Sequence, residues 1–541
     1  MSGTNYADVW EAIAEVQPDA LAQLQGDRRF TWAEFDRRAD AFAAAMLEVD
    51  GVGKQAKVAQ YLQNCPEYIE SVYGGWKVGL VPVNTNYRYT DDELVYLWDN
   101  ADAVAVVFHG SFTPTIERIR DKVPGVKRWF WVDDDGSAMP DWAVSYEAIV
   151  SKGAAGARTT APWGRDGDDL YMLYTGGTTG MPKGTMWRQD DIFWLVNPGT
   201  MPPYPEGSTI EQMMEQRKAI GAGMKSMPAC PLMHGTGALS SFGVLQTGGA
   251  IVLMENRSFD PAEMFELVER EGVNVLVIVG DAFAKPMVRT LDDQPGKWDI
   301  SSIVAIISSG VMWSEPVKQA LLKHHPNMIL ADSLGSSEAV GMGASQSTGD
   351  SAAETAKFTL GANAVVVSED NRVLGPGEGI GRLGIKGRVP VGYYKDEVKS
   401  AATFPVIDGV RYSLPGDFAQ IEDDGSITLL GRGSVCINTG GEKVFPEEVE
   451  EVLKLHPSIR DAVAVAVPDE KFGEVVTAMV EPEPGASIDE GDVIAHVKGK
   501  LAAFKAPKHV VVVDTIGRAP NAKVDYKRLK ALAAERVGVG S

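Results

Sequence analysis

The sequence has few cysteines, no long apolar run and no excess of positive charge. Only three cysteines occur, Cys65, Cys230 and Cys436, and no two share a CxxC spacing. This scarcity argues against a disulfide framework and a structural zinc site, and it favours a reducing cytoplasm. No apolar run approaches the roughly 20 residues that span a bilayer, and the first residues lack the pattern of a signal peptide. We therefore expect a cytoplasmic protein without an integral membrane segment.

The charge balance excludes some partners and leaves others open. The chain has 74 acidic against 51 basic residues, a net charge of −23. Such a balance argues against nucleic acid as the main partner. A bound nucleotide is still allowed, because a few backbone amides, lysines and a metal ion suffice to bind phosphates. The length of 541 residues exceeds one ordinary core, so we expect at least two domains.

Short β-branched runs alternate with helix signals along most of the chain. Ala103–Phe108, Val273–Val279 and Ile303–Ile307 have the composition of buried strands. Asp260-Pro261 predicts a helix start before the second run, and Ser314 predicts another just after the third. This alternation predicts an α/β body of helix-covered, largely parallel sheets.

A domain boundary is predicted at Gly431-Arg432. Beyond it, strand-like runs at Ala462–Val467 and Val510–Val513 flank a helical pattern at Val493–Leu501. This predicts a compact α+β unit of about 100 residues that can fold and move independently. The predicted domains are therefore residues 1–431 and 432–541.

The strongest local signal is the segment Tyr174–Gly184, which reads YTGGTTGMPKG. Its glycines and small hydroxyl residues allow backbone amides to converge on phosphate oxygens, and Lys183 adds positive charge. It is not a Walker A loop, because glycine follows the lysine where that motif has serine or threonine. The alternative is a flexible surface loop. The Pro-Lys-Gly ending favours phosphate binding.

Further motifs follow this loop in a fixed order. They are Asp332–Glu338, Pro415–Asp417, Gly431-Arg432 with Gly440–Lys443, and Pro520–Lys523. Together with the loop they resemble the adenylate-forming superfamily of acyl-CoA synthetases, luciferases and peptide-synthetase adenylation domains, over essentially the whole chain. The resemblance implies a large N-terminal domain of helix-covered β-sheets and a small mobile α+β C-terminal domain.

The resemblance also implies that the chain uses ATP and Mg²⁺. Glu338 would hold the Mg²⁺ ion, and Asp417 with Arg432 would hold the ribose. Leu334 replaces the aromatic residue that often stacks on adenine in the family, so we expect adenine to rest on an aliphatic surface. The residues implied to bind ATP or AMP are Thr175, Gly176, Gly177, Thr178, Thr179, Gly180, Lys183, Asp332, Ser333, Leu334, Gly335, Ser336, Ser337, Asp417 and Arg432.

Catalytic and substrate roles follow from the same resemblance. Lys523 would lie between the substrate carboxylate and the α-phosphate, where a mobile point charge offsets the repulsion of two anions. Together with Glu338 and His234, it forms the implied catalytic set. His234, Ser309 and Gly310 would line the acyl site, although a lone histidine is as often structural. The hinge position holds Ser434, where the family commonly has Asp or Lys. The residues implied to bind coenzyme A are Gly440, Gly441, Glu442 and Lys443.

The predicted reaction is ATP-dependent formation of an acyl-adenylate and acyl transfer to coenzyme A. Stretches such as Gly280–Pro286 and Val389–Asp396 resemble bacterial ligases for steroid side-chain carboxylates. A medium- or long-chain fatty acyl-CoA ligase is the alternative, and a catalytically degraded nucleotide-binding relative is a third. The segment 199–227, rich in Met, Pro and Gly, either shapes a wide apolar pocket or forms an idle surface loop. The sequence leaves open whether the chain forms a homodimer.

Overall fold

The three-dimensional structure of the chain is a computed structural model. It describes residues 3–152, 158–175, 181–311, 313–349, 353–432, 436–439, 442–469, 472–518 and 524–538, with Arg432, Asn438, Glu442 and Lys443 described by their backbone alone. The chain divides into two compact units. The first comprises Met1–Gly341, Gln346–Ala352 and Gly387–Ser413, and the second comprises Met342–Ser345, Ala353–Lys386 and Leu414–Ser541. This division does not test the predicted boundary at Gly431-Arg432.

One sheet of the first unit is parallel apart from a terminal hairpin. Parallel neighbours need long crossover connections, and helices provide several of them here. These helices are Gly235–Gln246, Pro261–Glu271, Gly280–Asp293 and Glu315–His324. In order across this unit, the strands are Ile329–Leu334, Ala305–Ser309, Val275–Ile278, Lys225–Pro228, Ala250–Leu253, Leu21–Gln25 and Arg28–Thr31.

A second sheet of the first unit is also mainly parallel, with antiparallel strands at one edge. Its strands, in spatial order, are Gly392–Tyr393, Lys183–Arg188, Leu170–Thr175, Val81–Asn84, Lys57–Tyr61, Ala103–His109, Arg128–Val132 and Val144–Ser145. The α-helices associated with this part of the chain are Trp32–Leu47, Pro66–Lys77, Asp91–Asn100, Thr113–Ile119, Tyr146–Val150, Gln189–Val196 and Glu397–Thr403.

A cluster of aromatic side chains packs inside the first unit. Tyr6 stacks on Trp76 with ring centroids 4.9 Å apart, and Trp76 meets Phe242 edge-on at 5.0 Å. Trp10 and Tyr171 extend the cluster. These rings come from helices Tyr6–Val16, Pro66–Lys77 and Gly235–Gln246 and from strand Leu170–Thr175. Packing of these rings therefore fixes strand Leu170–Thr175, which belongs to the second sheet, against helix Gly235–Gln246, which connects strands of the first sheet.

Most local signals in the sequence match these elements. The predicted strands are found at Ala103–His109, Val275–Ile278 and Ala305–Ser309, shifted by up to two residues. Helix Pro261–Glu271 begins where predicted, because the Asp260 side chain accepts from the Ala262 amide. Helix Glu315–His324 follows Ser314 as expected. The α/β prediction for the body is therefore confirmed.

The second unit contains an antiparallel sheet and a mixed sheet. The antiparallel one is built, in order, from Ala364–Val367, Ile380–Lys386, Val410–Ile421, Ser426–Arg432, Lys357–Leu360 and Gly343–Ser347, of which the third and last also reach into the first unit. The mixed one contains Glu442–Val444, Ile437–Thr439, Gly473–Pro482, Ile459–Asp469 and His509–Val512. Helices Pro446–Lys454, Glu490–Lys498 and Tyr526–Val537 belong to the same unit.

The C-terminal elements differ from the predicted ones in two respects. Strand Gly473–Pro482 was not predicted, although it is the longest partner of Ile459–Asp469. Both its faces are buried, so it lacks the polar alternation of a half-exposed strand. Helix Glu490–Lys498 begins and ends about three residues before the predicted helix Val493–Leu501, because the Asp489 side chain caps its start at the Asp492 amide.

We predict that Trp76→Ala lowers the free energy of unfolding by about 3–5 kcal/mol, because the ring is fully buried and its removal takes a large side chain out of the core. Urea denaturation followed by far-UV circular dichroism measures this change. Val398→Ala is the control, since Val398 is 85% exposed. Equal stability of the two variants would show that the aromatic cluster is not a stabilising element.

Candidate active site

The predicted acyl-site residues lie where parallel strands of the first sheet end. Strands Ala305–Ser309 and Ile329–Leu334 are paired so that Ser309 is opposite Ser333. Gly310 follows the first strand with a φ of +94°, a conformation that a side chain would strain. A Cβ atom at Gly310 would lie 3.7 Å from the Thr236 hydroxyl oxygen. The segment that carries His234 therefore lies beside Ser309-Gly310, and the contact of these residues with an acyl group stays a prediction.

Two asparagines, the half-buried Asn64 and the buried Asn84, hold the His234 segment in place. The Asn64 amide donates to the carbonyls of Pro228 and Cys230, at 3.2 and 3.0 Å, and accepts from the Leu232 amide at 2.7 Å. Asn84 donates to the Met233 carbonyl at 2.7 Å. The backbone immediately before His234 is therefore tied down at successive residues. No motif identifies these asparagines in the sequence, since each acts only through backbone groups distant along the chain.

Asn84 also holds the strand that leads into the phosphate loop. Its side chain donates to the Tyr174 carbonyl at 2.9 Å and accepts from the Tyr174 amide at 2.6 Å. Tyr174 and Thr175 end strand Leu170–Thr175, and Thr175 is paired with Lys183 on the returning strand. One buried amide group therefore links the entrance of the phosphate loop to the acyl-site segment. The predicted loop residues Gly176, Gly177, Thr178, Thr179 and Gly180 lie outside the described part of the chain.

Lys183 and Glu338 are brought together around Tyr393. The Lys183 ammonium lies 2.6 Å from an Asp396 carboxylate oxygen and 5.6 Å from the centre of the Tyr393 ring. The Tyr393 hydroxyl donates to Glu338 Oε1 at 2.9 Å. The ammonium group of Lys183 lowers the pKa of Asp396, mainly through this hydrogen bond. Lys183, predicted to bind phosphates, and Glu338, predicted to bind Mg²⁺, therefore both lie beside Tyr393.

Tyr393 is not among the residues that the sequence predicts for the site. The strand Gly392–Tyr393 pairs with Met186 and Thr185, which places the ring beside the strand carrying Lys183. No local pattern in the sequence reveals this contact, because Glu338 and Tyr393 are 55 residues apart.

The backbone around Glu338 is also fixed by side chains. The Trp187 indole donates to the Ser337 carbonyl at 2.8 Å, and the Ser413 hydroxyl donates to the Glu338 carbonyl at 2.6 Å. Ser336 and Ala339 close a tight turn through reciprocal amide–carbonyl hydrogen bonds. Gly335 immediately precedes this turn, and a Cβ atom there would approach the Ala339 carbonyl to 3.2 Å.

Asp332 has a buried partner of its own. Its carboxylate lies 3.4 Å from the ammonium of Lys318, and both side chains are buried. Burial raises the pKa of Asp332 to about 6, although Lys318 acts in the opposite direction. Neighbouring Ser333 and Leu334 end the strand and are half-buried. Contact of these residues with nucleotide stays a prediction.

The predicted ribose residues lie in the second unit. Asp417 and Arg432 are directly opposite each other in the antiparallel pair formed by Val410–Ile421 and Ser426–Arg432. Glu442 and Lys443, predicted to bind coenzyme A, form strand Glu442–Val444. Outside the described residues lie Ser434, Gly440, Gly441 and Lys523.

The donor groups are compatible with Mg²⁺. Oε1 of Glu338 accepts a hydrogen bond from Tyr393, and a carboxylate has a second oxygen with which it can bind a hard cation. Within the described ranges, no three His, Cys, Asp or Glu side chains form a metal cage. Mg²⁺ commonly binds through one or two carboxylates together with substrate phosphates, so a single acidic residue is sufficient here.

Comparison with known proteins places this site in a family. The sequence model of the AMP-binding enzymes matches residues 10–394, and that of the AMP-binding enzyme C-terminal domain matches residues 448–523. A mycobacterial relative, from Mycolicibacterium smegmatis, is 37% identical over 98% of this chain and 97% of its own, and is named medium/long-chain-fatty-acid/3-oxocholest-4-en-26-oate–CoA ligase. The 3-oxocholest-4-en-26-oate–CoA ligase of Rhodococcus rhodochrous is 36% identical over 97% of this chain and 95% of its own.

A solved structure shows the same fold. The anthranilate CoA ligase AuaEII in complex with anthranoyl-AMP superposes with a TM-score of 0.83 over 99% of both chains, at 18% identity. The predicted adenylate-forming fold, with a large N-terminal and a small C-terminal domain, is therefore confirmed. The chain belongs to the AMP-binding enzyme family, and within it to the AMP-forming acyl-CoA ligases.

The described residues contain neither a membrane-spanning helix nor a disulfide bond. No helix among them combines the length and apolar character needed to cross a bilayer. Cys65, Cys230 and Cys436 are not joined by disulfides, and the first two are buried.

We predict that Tyr393→Phe weakens the apparent affinity for Mg²⁺ in the ATP-dependent reaction by about 10- to 100-fold, because Glu338 loses the hydroxyl that orients it. Activity measured across a Mg²⁺ titration checks this. Tyr394→Phe is a matched control, since its hydroxyl contacts Asp102 instead. Unchanged Mg²⁺ dependence in Tyr393→Phe would contradict the orienting role.

We also predict that Asp332 makes the stability of the first unit fall between about pH 4 and about pH 6. Its pKa is about 6 in the folded chain against a usual value of 3.8. The folded state therefore binds more protons than the unfolded state in this window, and stability decreases as pH rises by up to about 3 kcal/mol. Thermal unfolding of Asp332→Asn should lack this slope, whereas the exposed control Asp299→Asn should keep it. Parallel pH profiles for Asp332→Asn and the native chain would contradict the assignment.

Proposed function

We propose that the acid activated by this ligase is a steroid side-chain carboxylate. The observation that carries the proposal is that relatives matching nearly the whole chain at 36–37% identity are named 3-oxocholest-4-en-26-oate–CoA ligases. The segment Gly280–Pro286, part of the predicted resemblance to steroid ligases, begins helix Gly280–Asp293 next to the acyl-site strand ends, where the Gly280 amide donates to the Ser308 hydroxyl at 2.9 Å.

A second candidate substrate is a medium- or long-chain fatty acid. One observation supports it: the relative from Mycolicibacterium smegmatis carries both substrate classes in its name. Both candidates are carboxylic acids with an apolar body, so the chemistry at the carboxylate is the same for either. They differ in the shape of the apolar body, which is wide and rigid in a steroid and narrow and flexible in a fatty acid.

In the first half-reaction, a carboxylate oxygen of the acid attacks the α-phosphate of ATP. A new oxygen–phosphorus bond forms while the bond to pyrophosphate breaks, giving acyl-AMP and pyrophosphate. Lys183 and the loop of Thr175, Gly176, Gly177, Thr178, Thr179 and Gly180 would bind the β- and γ-phosphates. When bound, Mg²⁺ would neutralise phosphate charge at Glu338.

Two further residues would act at the reacting atoms. Lys523 would donate to both the attacking carboxylate and the α-phosphate, offsetting the repulsion between them. His234 would orient the carboxylate, since its backbone is held by the residues that Asn64 and Asn84 fix. Ser309 and Gly310 would form the opposite wall.

The remaining nucleotide contacts follow the same assignment. Asp417, with its partner Arg432 opposite in the ladder, would accept from the ribose hydroxyls. Adenine and the α-phosphate would lie against the segment of Asp332, Ser333, Leu334, Gly335, Ser336 and Ser337.

In the second half-reaction, the coenzyme A thiol attacks the acyl carbon of acyl-AMP, and AMP leaves. Gly440, Gly441, Glu442 and Lys443 would line the pantetheine path after the C-terminal domain, residues 432–541, rotates about Ser434. The two half-reactions would thereby use different faces of that domain.

Location and assembly belong to the same proposal. We infer that the enzyme works in the cytoplasm, which the small number of cysteines in the sequence supports. A homodimer is compatible with the chemistry, and light scattering in solution distinguishes it from a monomer.

Substrate choice is tested by measuring kcat/KM for coenzyme A-dependent pyrophosphate release. The acids compared are 3-oxocholest-4-en-26-oate, a bile-type carboxylate, and straight-chain acids of several lengths. We expect kcat/KM at least about 10-fold higher for the steroid acid, the scale of discrimination that a shaped apolar pocket reaches. Higher values for straight chains would reject the steroid proposal in favour of the fatty acid one.

We predict that Lys523→Ala lowers the rate of acyl-adenylate formation by about 100-fold or more while sparing thioester formation from supplied acyl-AMP. The reason is that the second half-reaction begins with the phosphate already bonded to the acyl group. Pyrophosphate release measures the first step, and thioester formation measures the second. Lys527→Ala, an exposed lysine nearby, is the control. Equal loss in both steps without unfolding would refute the assigned role.

A further inference from the structure

A depression of about 620 Å³ opens on the surface of the first unit, and none of the residues assigned to catalysis lines it. Its walls are mainly apolar and include Met201, Pro202, Pro203, Ile220 and Met224. Arg217 is the single charged residue among those that line it. The volume lies in the range of sites that bind small organic molecules.

The depression is built by the Met- and Pro-rich segment 199–227, and this segment is not an idle loop. Its helix Ile210–Ile220 has a capping box at Thr209 and buries Met213 and Met214. The adjoining Tyr204 is buried, and its hydroxyl donates to the Gln246 carbonyl at 2.9 Å. The segment that lines the depression is therefore packed against the hydrophobic core of the first unit.

Topology separates this depression from the acyl site. His234 precedes helix Gly235–Gln246, whereas Arg217 Nη1 donates to the carbonyl of Thr247, just past the other end, at 2.6 Å. A helix of 12 residues is about 18 Å long at 1.5 Å per residue. Met224 likewise precedes strand Lys225–Pro228, while the acyl-site segment follows it. The two regions thus lie at opposite ends of the same helix and strand.

Arg217 is a buried cation without an anionic partner among the described residues. The residue is fully buried, and its described partners are the Thr247 carbonyl and the ring of Tyr204, whose centre is 5.7 Å away. Its Nε and Nη2 atoms have no hydrogen-bond acceptor in the part of the chain that the structure describes. Burying a charged donor without an acceptor costs free energy, so an acceptor supplied by a ligand would be stabilising.

The two unpaired nitrogens define the kind of acceptor. Nε and Nη2 form one edge of the planar guanidinium, and this edge matches the two oxygens of a carboxylate through parallel hydrogen bonds. The surrounding walls offer contact for an apolar body. Met201, which is 44% exposed, and Ile220, 50% exposed, are among the lining residues, and a flexible methionine side chain adapts readily to an apolar ligand.

We propose that this depression is a second ligand site, which binds a monocarboxylate with an apolar body through the Nε–Nη2 edge of Arg217. The site is separate from the one in which an acid is adenylated, and no bond is made or broken in it. It would hold a free acid while the catalytic site is occupied. The inference does not depend on whether the ligase prefers steroid or fatty acids.

The test fills the catalytic site first. The protein is saturated with 5′-O-(N-dodecanoylsulfamoyl)adenosine, a stable mimic of acyl-adenylate, and dodecanoate binding is then measured by equilibrium dialysis. We expect one further equivalent of dodecanoate, bound at least 10-fold more tightly than dodecan-1-ol, which has no carboxylate. Equal binding of acid and alcohol, or the absence of a further equivalent, would overturn the proposal.

Three variants locate the bound acid. Ala222→Trp fills the depression and Arg217→Leu removes the cation, and each should weaken dodecanoate binding by at least 10-fold. Lys218→Ala is the matched control, because it removes an exposed charge from the same helix. If Arg217→Leu does not fold, Ala222→Trp decides alone, since it retains the guanidinium. A changed acyl-chain preference in Ala222→Trp, without a lost second equivalent, would make the depression an extension of the acyl site and refute a separate one.

Discussion

The Asn84 side-chain amide is the interaction on which the arrangement of the candidate site depends. It accepts from the Tyr174 amide and donates to the carbonyls of Tyr174 and Met233. Through these bonds the phosphate-loop entrance in one sheet is held against the acyl-site segment that follows a strand of the other. Such a group must be fully hydrogen-bonded when buried, and a shorter or apolar side chain would leave several backbone groups without partners. Asn84 therefore fixes the end of strand Leu170–Thr175 and the segment before His234 relative to each other.

Two charged side chains of the candidate site, Lys183 and Glu338, each have a polar partner within the protein. Lys183 is paired with Asp396, and Glu338 accepts from Tyr393. Binding of ATP with its metal ion would replace these contacts with contacts to phosphate and metal. The Lys183 ammonium and the Glu338 carboxylate are therefore held in position by partners that the substrate can displace. Arg217 contrasts with them, because it is more deeply buried and has no carboxylate partner among the described residues. That contrast is what separates the second ligand site from the catalytic one.

The sequence predicts the fold class and most strand and helix positions because these depend on local signals. Buried strands such as Ala103–His109 are short and β-branched, and helix starts such as Asp260 have capping side chains. Motif residues such as Lys183 and Glu338 are identified by resemblance, and the structure brings them near each other through Tyr393. The roles assigned to them, and the hinge at Ser434, stay predictions. Asn64, Asn84 and Tyr393 could not be found, because each acts across 55 to 168 residues of sequence and none belongs to a periodic pattern. The unpaired edge of Arg217 is likewise visible only when its neighbours are known.

The central claim is that acid activation occurs at one site between the Thr175–Lys183 loop, Glu338 and His234. A crystal structure of the protein with Mg²⁺ and a stable sulfamoyl mimic of the acyl-adenylate tests this most directly. The account predicts that the sulfamoyl group, in the place of the α-phosphate, lies near the Thr175–Lys183 loop and Glu338, with the acyl chain passing His234 and Gly310. An adenylate mimic bound with its acyl chain away from His234 and Gly310, or with no contact to Glu338 or the loop, would contradict it.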